Sequence, residues 1–158
     1  MKHKVIPQQL SALRFESVWV REASFVDVDS TEPAPTNELE GVEIQLEVKA
    51  VYAESGERAY VTLRAILEPP PEKQLFVRLS AAVEGTFTLR QGPDRSALAN
   101  FASLQAPVLL VPYLRATLTS LTAQSRLGAI LLPPLNMAEV IKAMQAQSRP
   151  AEAPVIKE

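Results

Sequence analysis

An α+β chain is predicted, a four-stranded antiparallel sheet laid down first and helices added after it. Three observations predict it. Apolar and polar residues alternate in long runs through the first part of the chain. Turn-forming residues separate those runs. From Ser96 to Leu135 the alternation stops, and in those forty residues only Arg115 and Arg126 are charged. Alternation with a period of two marks a strand with one face buried and one wet, whereas a longer apolar pattern with few charges marks helices covered on several sides.

The elements follow in order. Residues 1–12 read as a flexible arm. Leu13–Val28 is the first strand, with Phe15, Trp19, Ala23 and Phe25 on one face and Val18, Val20, Val26 and Val28 on the other. Apolar groups on both faces imply cover on both sides, or a bend. Asp29–Glu40, with Pro33 and Pro35, is a crossover loop. It is longer than a hairpin needs and is a candidate functional segment. Val42–Tyr52 alternates cleanly, Val42, Ile44, Leu46, Val48 and Ala50 inward. Gly56 supplies the positive φ for a turn, and Ala59–Leu67 returns with Val61, Leu63, Ala65 and Leu67 inside. After Pro69-Pro70-Pro71, Lys73–Arg90 forms the last strand, and Gly85 in its apolar row is expected to permit a bend or bulge. A short helix over Ser96–Leu104 and a long one over Gln105–Arg126 follow, the long one expected to kink or adjust locally at Pro112. Leu127–Leu135 is an apolar loop. Asn136, with Glu139 three residues on, opens a final helix over Met137–Gln147. Residues 13–147 thus make one domain, and 148–158, with two prolines and mixed charge, read as a disordered tail.

Composition narrows function by exclusion. The chain has 158 residues, 47% hydrophobic and 22% charged, with a net charge of −2. No basic excess is available to neutralise phosphates, which argues against a nucleic-acid partner. There is no cysteine and one histidine, His3, so thiolate catalysis, a His-based triad and Cys or two-His metal sites are excluded. No cofactor and no metal is expected. The absence of cysteine suits a reducing cytoplasm. Met1–Leu10 lacks the apolar segment of a secretion leader. The longest uncharged stretch, Ser96–Leu114, has 19 residues but holds Asn100, Gln105, two serines and two prolines, so no membrane span is expected. Glu43 and Glu47 share a strand face but stand about 13 Å apart by strand rise, too far for a catalytic carboxylate pair. No catalytic residue is assigned.

A charge-poor long helix needs cover beyond what one sheet face provides. A second copy of the chain is the simplest supplier, and the final helix is the alternative. The strip formed by Leu127–Leu135 and the last helix is either core or one wall of an apolar groove, where adaptable methionines suit varied partners.

The long helix carries a specific pattern. Ala106-Pro107-Val108-Leu109-Leu110-Val111-Pro112-Tyr113-Leu114-Arg115 resembles the helix signature of the SecB export-chaperone family, approximately (N/C)-P-x-I-L-F-P-Y-A-R-E. Leu131-Leu132-Pro133-Pro134-Leu135-Asn136 is similar to the family's L-x-L-x-P-V/I-N-F, and Ser17–Phe25 looks like its R-I-Y-x-K-D-I-S-F strand. The resemblance implies a four-stranded antiparallel sheet with helices on one face. It implies a homotetramer, a dimer of dimers with the long helix in the interface through Leu109, Tyr113, Arg115 and Leu118. It implies an ATP-independent holdase that binds unfolded preproteins and passes them to the ATPase SecA. A groove for such clients is expected between the crossover, the second strand, the Leu127–Leu135 loop and the last helix, lined by Leu39, Ile44, Leu132, Leu135, Met137, Ile141 and Met144. The family's acids on the sheet face dock SecA; Glu22 keeps one, while Ser80 beside Arg78 stands where another would be. Ala116 and Met137 replace a glutamate and an aromatic of the signature, and the tail has no evident counterpart of the family's SecA-binding tail. Two other readings are a SecB-like chaperone of a toxin–antitoxin system, holding an aggregation-prone antitoxin, and an oligomeric adaptor without holdase activity.

Overall fold

The computed structural model describes residues 13–27, 44–67, 77–90, 94–125, 128–132, 134–147 and 155–156. Strands β1 (Leu13–Asp27), β2 (Ile44–Ala53), β3 (Arg58–Leu67) and β4 (Val77–Leu89) come first. Helices α1 (Arg95–Leu104), α2 (Ala106–Thr122) and α3 (Met137–Gln147) follow, and a two-residue β5 (Val155–Ile156) comes last. The sheet order is β1-β4-β3-β2-β5, so β1 lies at one edge after a crossover. The first four strands are antiparallel throughout, and the helices pack on one face, as predicted.

Each strand shows why its sequence made it. In β3, Val61, Leu63, Ala65 and Leu67 are buried and alternate with half-buried residues on the other face. Its partner in the β2–β3 hairpin is reached through Gly56 at φ 74°, whose N–H donates to the carbonyl of Ala53 at 3.0 Å. A side chain with a Cβ is strained at that φ. β1 settles the question of its two apolar faces by breaking register twice, between Phe15 and Ser17 and between Val20 and Glu22. Each irregularity shifts the parity by one, so Phe15, Val18 and Phe25 all meet the core although their spacing is uneven. The bend expected at Gly85 is therefore in β1 instead. β4 runs unbroken past Gly85, paired with Val18 on one side and Val61 on the other. The glycine serves packing: a Cβ there would stand 2.8 Å from Cδ2 of Leu110 on α2 and 3.1 Å from the ring of Phe15.

The helical layer is centred over β3 and β4. Leu110, Leu114 and Leu118 of α2 and Leu98 of α1 are fully buried against Val61, Leu63, Val83 and Phe87. Each such side chain contributes about 1.5–3 kcal/mol of burial free energy. Phe87 stacks on Phe15 at 5.0 Å and meets Phe101 edge-on at 5.3 Å. Asp94 caps α1, its carboxylate accepting from the N–H of Ala97 at 3.0 Å. The helices turn by 41° at Gln105, ahead of Pro107 in the first turn of α2. α2 then continues through Pro112 as one helix. Pro112 and Val108 both lie on the exposed side, so the carbonyl that a proline four residues later leaves unpaired can bond water.

α2 ends at Thr122, earlier than the expected Arg126. The buried Thr122 hydroxyl donates to the carbonyl of Leu118 and accepts from the N–H of Ile130, each at 2.8 Å. That bond turns the chain back toward the core. α3 starts where predicted, with the N–H groups of Glu139 and Val140 donating to the carbonyl of Asn136. The segment 148–158, expected to be disordered, carries β5, which pairs in parallel with the end of β2. Val155 and Ile156 are β-branched, and the outer edge of β2 offers them backbone partners. The arm 1–12 and the crossover Asp29–Glu40 lie outside the described residues.

Candidate functional site

The rim of the sheet at β2 is covered less well than its centre. Ile44, Leu46, Val48 and Ala50 pack on the core but are only half-buried. Directly across the hairpin, Leu67, Ala65, Leu63 and Val61 are buried completely or nearly so. The two rows share one face of the sheet. The difference is positional: α1 and α2 sit mainly over β3 and β4, with α1 reaching β2 only lightly. A half-covered apolar row beside a strand edge that, among the described residues, is paired only at Tyr52 and Ala53 can accept an extended chain, which supplies apolar side chains at every second residue and backbone bonds between them.

The loop after α2 leads to helix α3, which packs against α1. Gly128, at φ 72°, turns the loop, its N–H donating to the carbonyl of Ser125 at 3.0 Å. Ile130 and Leu132 then point inward and Leu131 outward, where it is 73% exposed. Of the predicted groove residues, Ile44 and Leu135 are half-buried against the core. Leu132, Met137 and Ile141 are each only 6% exposed. They close the core where α3 folds back against α1, so they are floor rather than open wall. Leu39 lies outside the described residues, as does the side chain of Met144 within α3. Leu131, the most exposed large apolar side chain described, belongs to the apolar strip read from the sequence but is not separable there from its buried neighbours Ile130 and Leu132, which look the same in composition.

The second apolar surface is the outer side of α2. Val108, Leu109 and Tyr113 are exposed there, beside exposed Pro112 and Ala116, while Leu110, Val111, Leu114 and Leu118 face the sheet. Tyr113 also meets Phe15 edge-on at 5.8 Å. Val20, on the core side of edge strand β1, is exposed too. Of the expected interface residues, Leu109 and Tyr113 stand on this surface and Arg115 is half-buried. Leu118 is 1% exposed. Its helical position puts it on the sheet side, in the protomer's own core, which corrects its assignment to an interface.

The other face of the sheet is charged and self-compensated. The Glu22 carboxylate accepts from Arg64 and, at 2.7 Å, from the Ser80 hydroxyl. Arg64 also lies 3.9 Å from Glu47. Buried Glu84 accepts from the Thr62 hydroxyl at 3.0 Å and pairs with Arg21 at 3.2 Å. The partly exposed pairs of Arg64 with Glu22 and Glu47 contribute little to stability, about 0–1 kcal/mol each, but they decide which charges a partner meets. At the end of β2, burial pushes the Tyr52 phenol pKa up. Among the described residues no three His, Cys, Asp or Glu side chains stand together as metal ligands, and no single helix is long and apolar enough to cross a membrane.

Comparison with known proteins adds three findings. The family model described as SecB, preprotein translocase subunit SecB, matches residues 7–148. An uncharacterized protein of Methanocaldococcus jannaschii, MJ0357, is 25% identical over 132 residues, covering 80% of this chain and 81% of its own. Among solved structures, the Mycobacterium tuberculosis Rv1957 SecB-like chaperone, in complex with a ChAD peptide from the Rv1956 HigA1 antitoxin, aligns with a TM-score of 0.58. That alignment has 17% identity and covers 79% of this chain and 91% of the other, a likeness of fold.

Proposed function

This chain belongs to the SecB family of chaperones, and from that membership we propose that it is an ATP-independent holdase that keeps non-native polypeptides from aggregating. One observation carries the reading: the half-covered apolar row Ile44, Leu46, Val48 and Ala50 along β2, together with half-buried Leu135 and exposed Leu131 in the loop before α3. Such surfaces bind weakly and with little sequence preference, and a long unfolded client gains avidity by engaging several at once. The clients are preproteins awaiting export, held in the cytoplasm; a chain without cysteine suits that reducing compartment. The working form is a homotetramer, a dimer of dimers, in which the apolar outer side of α2 is covered by another copy. Handover to SecA runs through Glu22, and Arg64 must release that carboxylate for a partner to take it.

A second reading has a specific observation behind it. The solved SecB-like chaperone of Mycobacterium tuberculosis was captured with an antitoxin peptide, and here the sheet-face acids already pair with Arg21 and Arg64. A chaperone dedicated to an aggregation-prone antitoxin uses the same apolar rim and needs no ATPase contact.

Size-exclusion chromatography with light scattering tests the holdase directly, with and without reduced, carboxymethylated α-lactalbumin as an unfolded probe. The 17.3 kDa chain is expected to elute as a tetramer of ~69 kDa that carries the probe with it. A stable oligomer that leaves the probe behind would replace the holdase with an adaptor for one folded partner. Added SecA that binds the complex supports export, and its failure to bind favours the antitoxin reading.

A further inference from the structure

The outer edge of β2 is already partly occupied, by the chain itself. Val155 pairs with Tyr52 and Ile156 with Ala53 in a parallel ladder. β5 is two residues long, the weakest kind of strand: parallel, at an edge, and joined to α3 by residues 148–154. Its sequence is what an unfolded client would also present, an apolar β-branched pair with Pro154 before it and charged Lys157 and Glu158 after it. The rest of the edge, Ile44–Val51, is not paired to β5 and carries the half-covered row described above.

We propose that the C-terminal segment is an internal competitor for the client-binding edge: Val155–Ile156 occupies the end of β2 until an extended client strand displaces it. The proposal rests on the holdase reading and names the regulation of that same site. A tethered segment needs little intrinsic affinity, because a short tether holds it at an effective concentration in the millimolar range. For a client strand that runs the length of β2 to Tyr52 and Ala53, an end filled most of the time by the tail lowers the apparent affinity in proportion to the fraction left free. Weak single contacts are rejected, and a client that engages along the whole of β2 wins. The tail also hides backbone groups that would otherwise template pairing between copies.

The test is V155P/I156P in the full chain. Proline has no N–H to donate and cannot hold a ladder, while the rest of the sheet is untouched. Binding of fluorescent reduced, carboxymethylated α-lactalbumin is measured by anisotropy for the parent and the variant, and again with a free peptide of residues 148–158 added. If the tail fills about four fifths of the edges, the variant binds about fivefold more tightly, and the peptide restores the parent affinity. Measurable but equal affinities, or a peptide without effect on the variant, overturn the tail's role and leave the holdase reading standing. Binding by neither form overturns the holdase reading and this proposal together.

Discussion

Gly85 illustrates how much a single residue's role depends on its neighbours. Its row and parity are legible in the sequence, because Leu79, Ala81, Val83, Phe87 and Leu89 share them. The reason for it is not: Leu110 arrives from a helix far along the chain and takes the space a Cβ would fill. We expect Gly85→Ala to force Leu110 and the Phe15–Phe87 stack apart and to cost about 1–3 kcal/mol, the usual penalty of overpacking. Denaturant unfolding checks it, and an unchanged midpoint would show that the helix shifts freely. Thr122 is a similar case. A threonine among Leu118, Leu121 and Ala123 looks like surface punctuation, yet its hydroxyl joins the end of α2 to Ile130.

At the scale of elements, strands are the more legible. Clean alternation located β2, β3 and β4 to within a few residues, since it reports directly which side chains face the core. β1 was ambiguous because two register irregularities interrupt its period, and irregularities have no compositional mark when the inserted residues are Glu16 and Arg21. The helices were ambiguous in a different way. An apolar helix gives no sign of which side meets the sheet, and only the packing separates Leu110, Leu114 and Leu118 from Val108, Leu109 and Tyr113. The exposed set is where we expect subunits to meet. Leu109→Asp leaves the protomer core alone and is expected to reduce the mass in light scattering below the ~69 kDa of the proposed tetramer, from 17.3 kDa chains, with the circular dichroism spectrum retained. A tetramer that survives the change would move the interface elsewhere.

The molecule as a whole is a sheet wider than the helices that cover it. β3 and β4 are sealed, while β1 and β2 keep half-covered apolar fringes at opposite rims. For a chain that only had to be stable this is poor economy; for one that binds extended apolar chains it leaves surface to use. Ile44→Asp places a charge in the half-buried β2 fringe. We expect it to weaken binding of the unfolded probe about tenfold, equivalent to about 1.4 kcal/mol, while the oligomer persists. Equal affinity in a folded Ile44→Asp protein would move the client site away from this rim.

The sequence by itself determined the layer plan, the order of strands and helices, and the family, because hydrophobic period, turn residues and the P-Y-x-R helix pattern are local properties of the chain. It also marked the stretch of the long helix that is poor in charge. Only the tertiary structure decided which apolar residues are core and which are surface. Leu118, Leu132, Met137 and Ile141 went inside, and Leu131, Val108 and Leu109 stayed out, although all are equally apolar. It decided as well that Val155–Ile156 meets β2 and that Glu22 meets Arg64. The physical reason is the same in each case. Burial and pairing depend on where distant segments arrive, and a one-dimensional pattern fixes a side chain's tendency to be covered without saying what covers it.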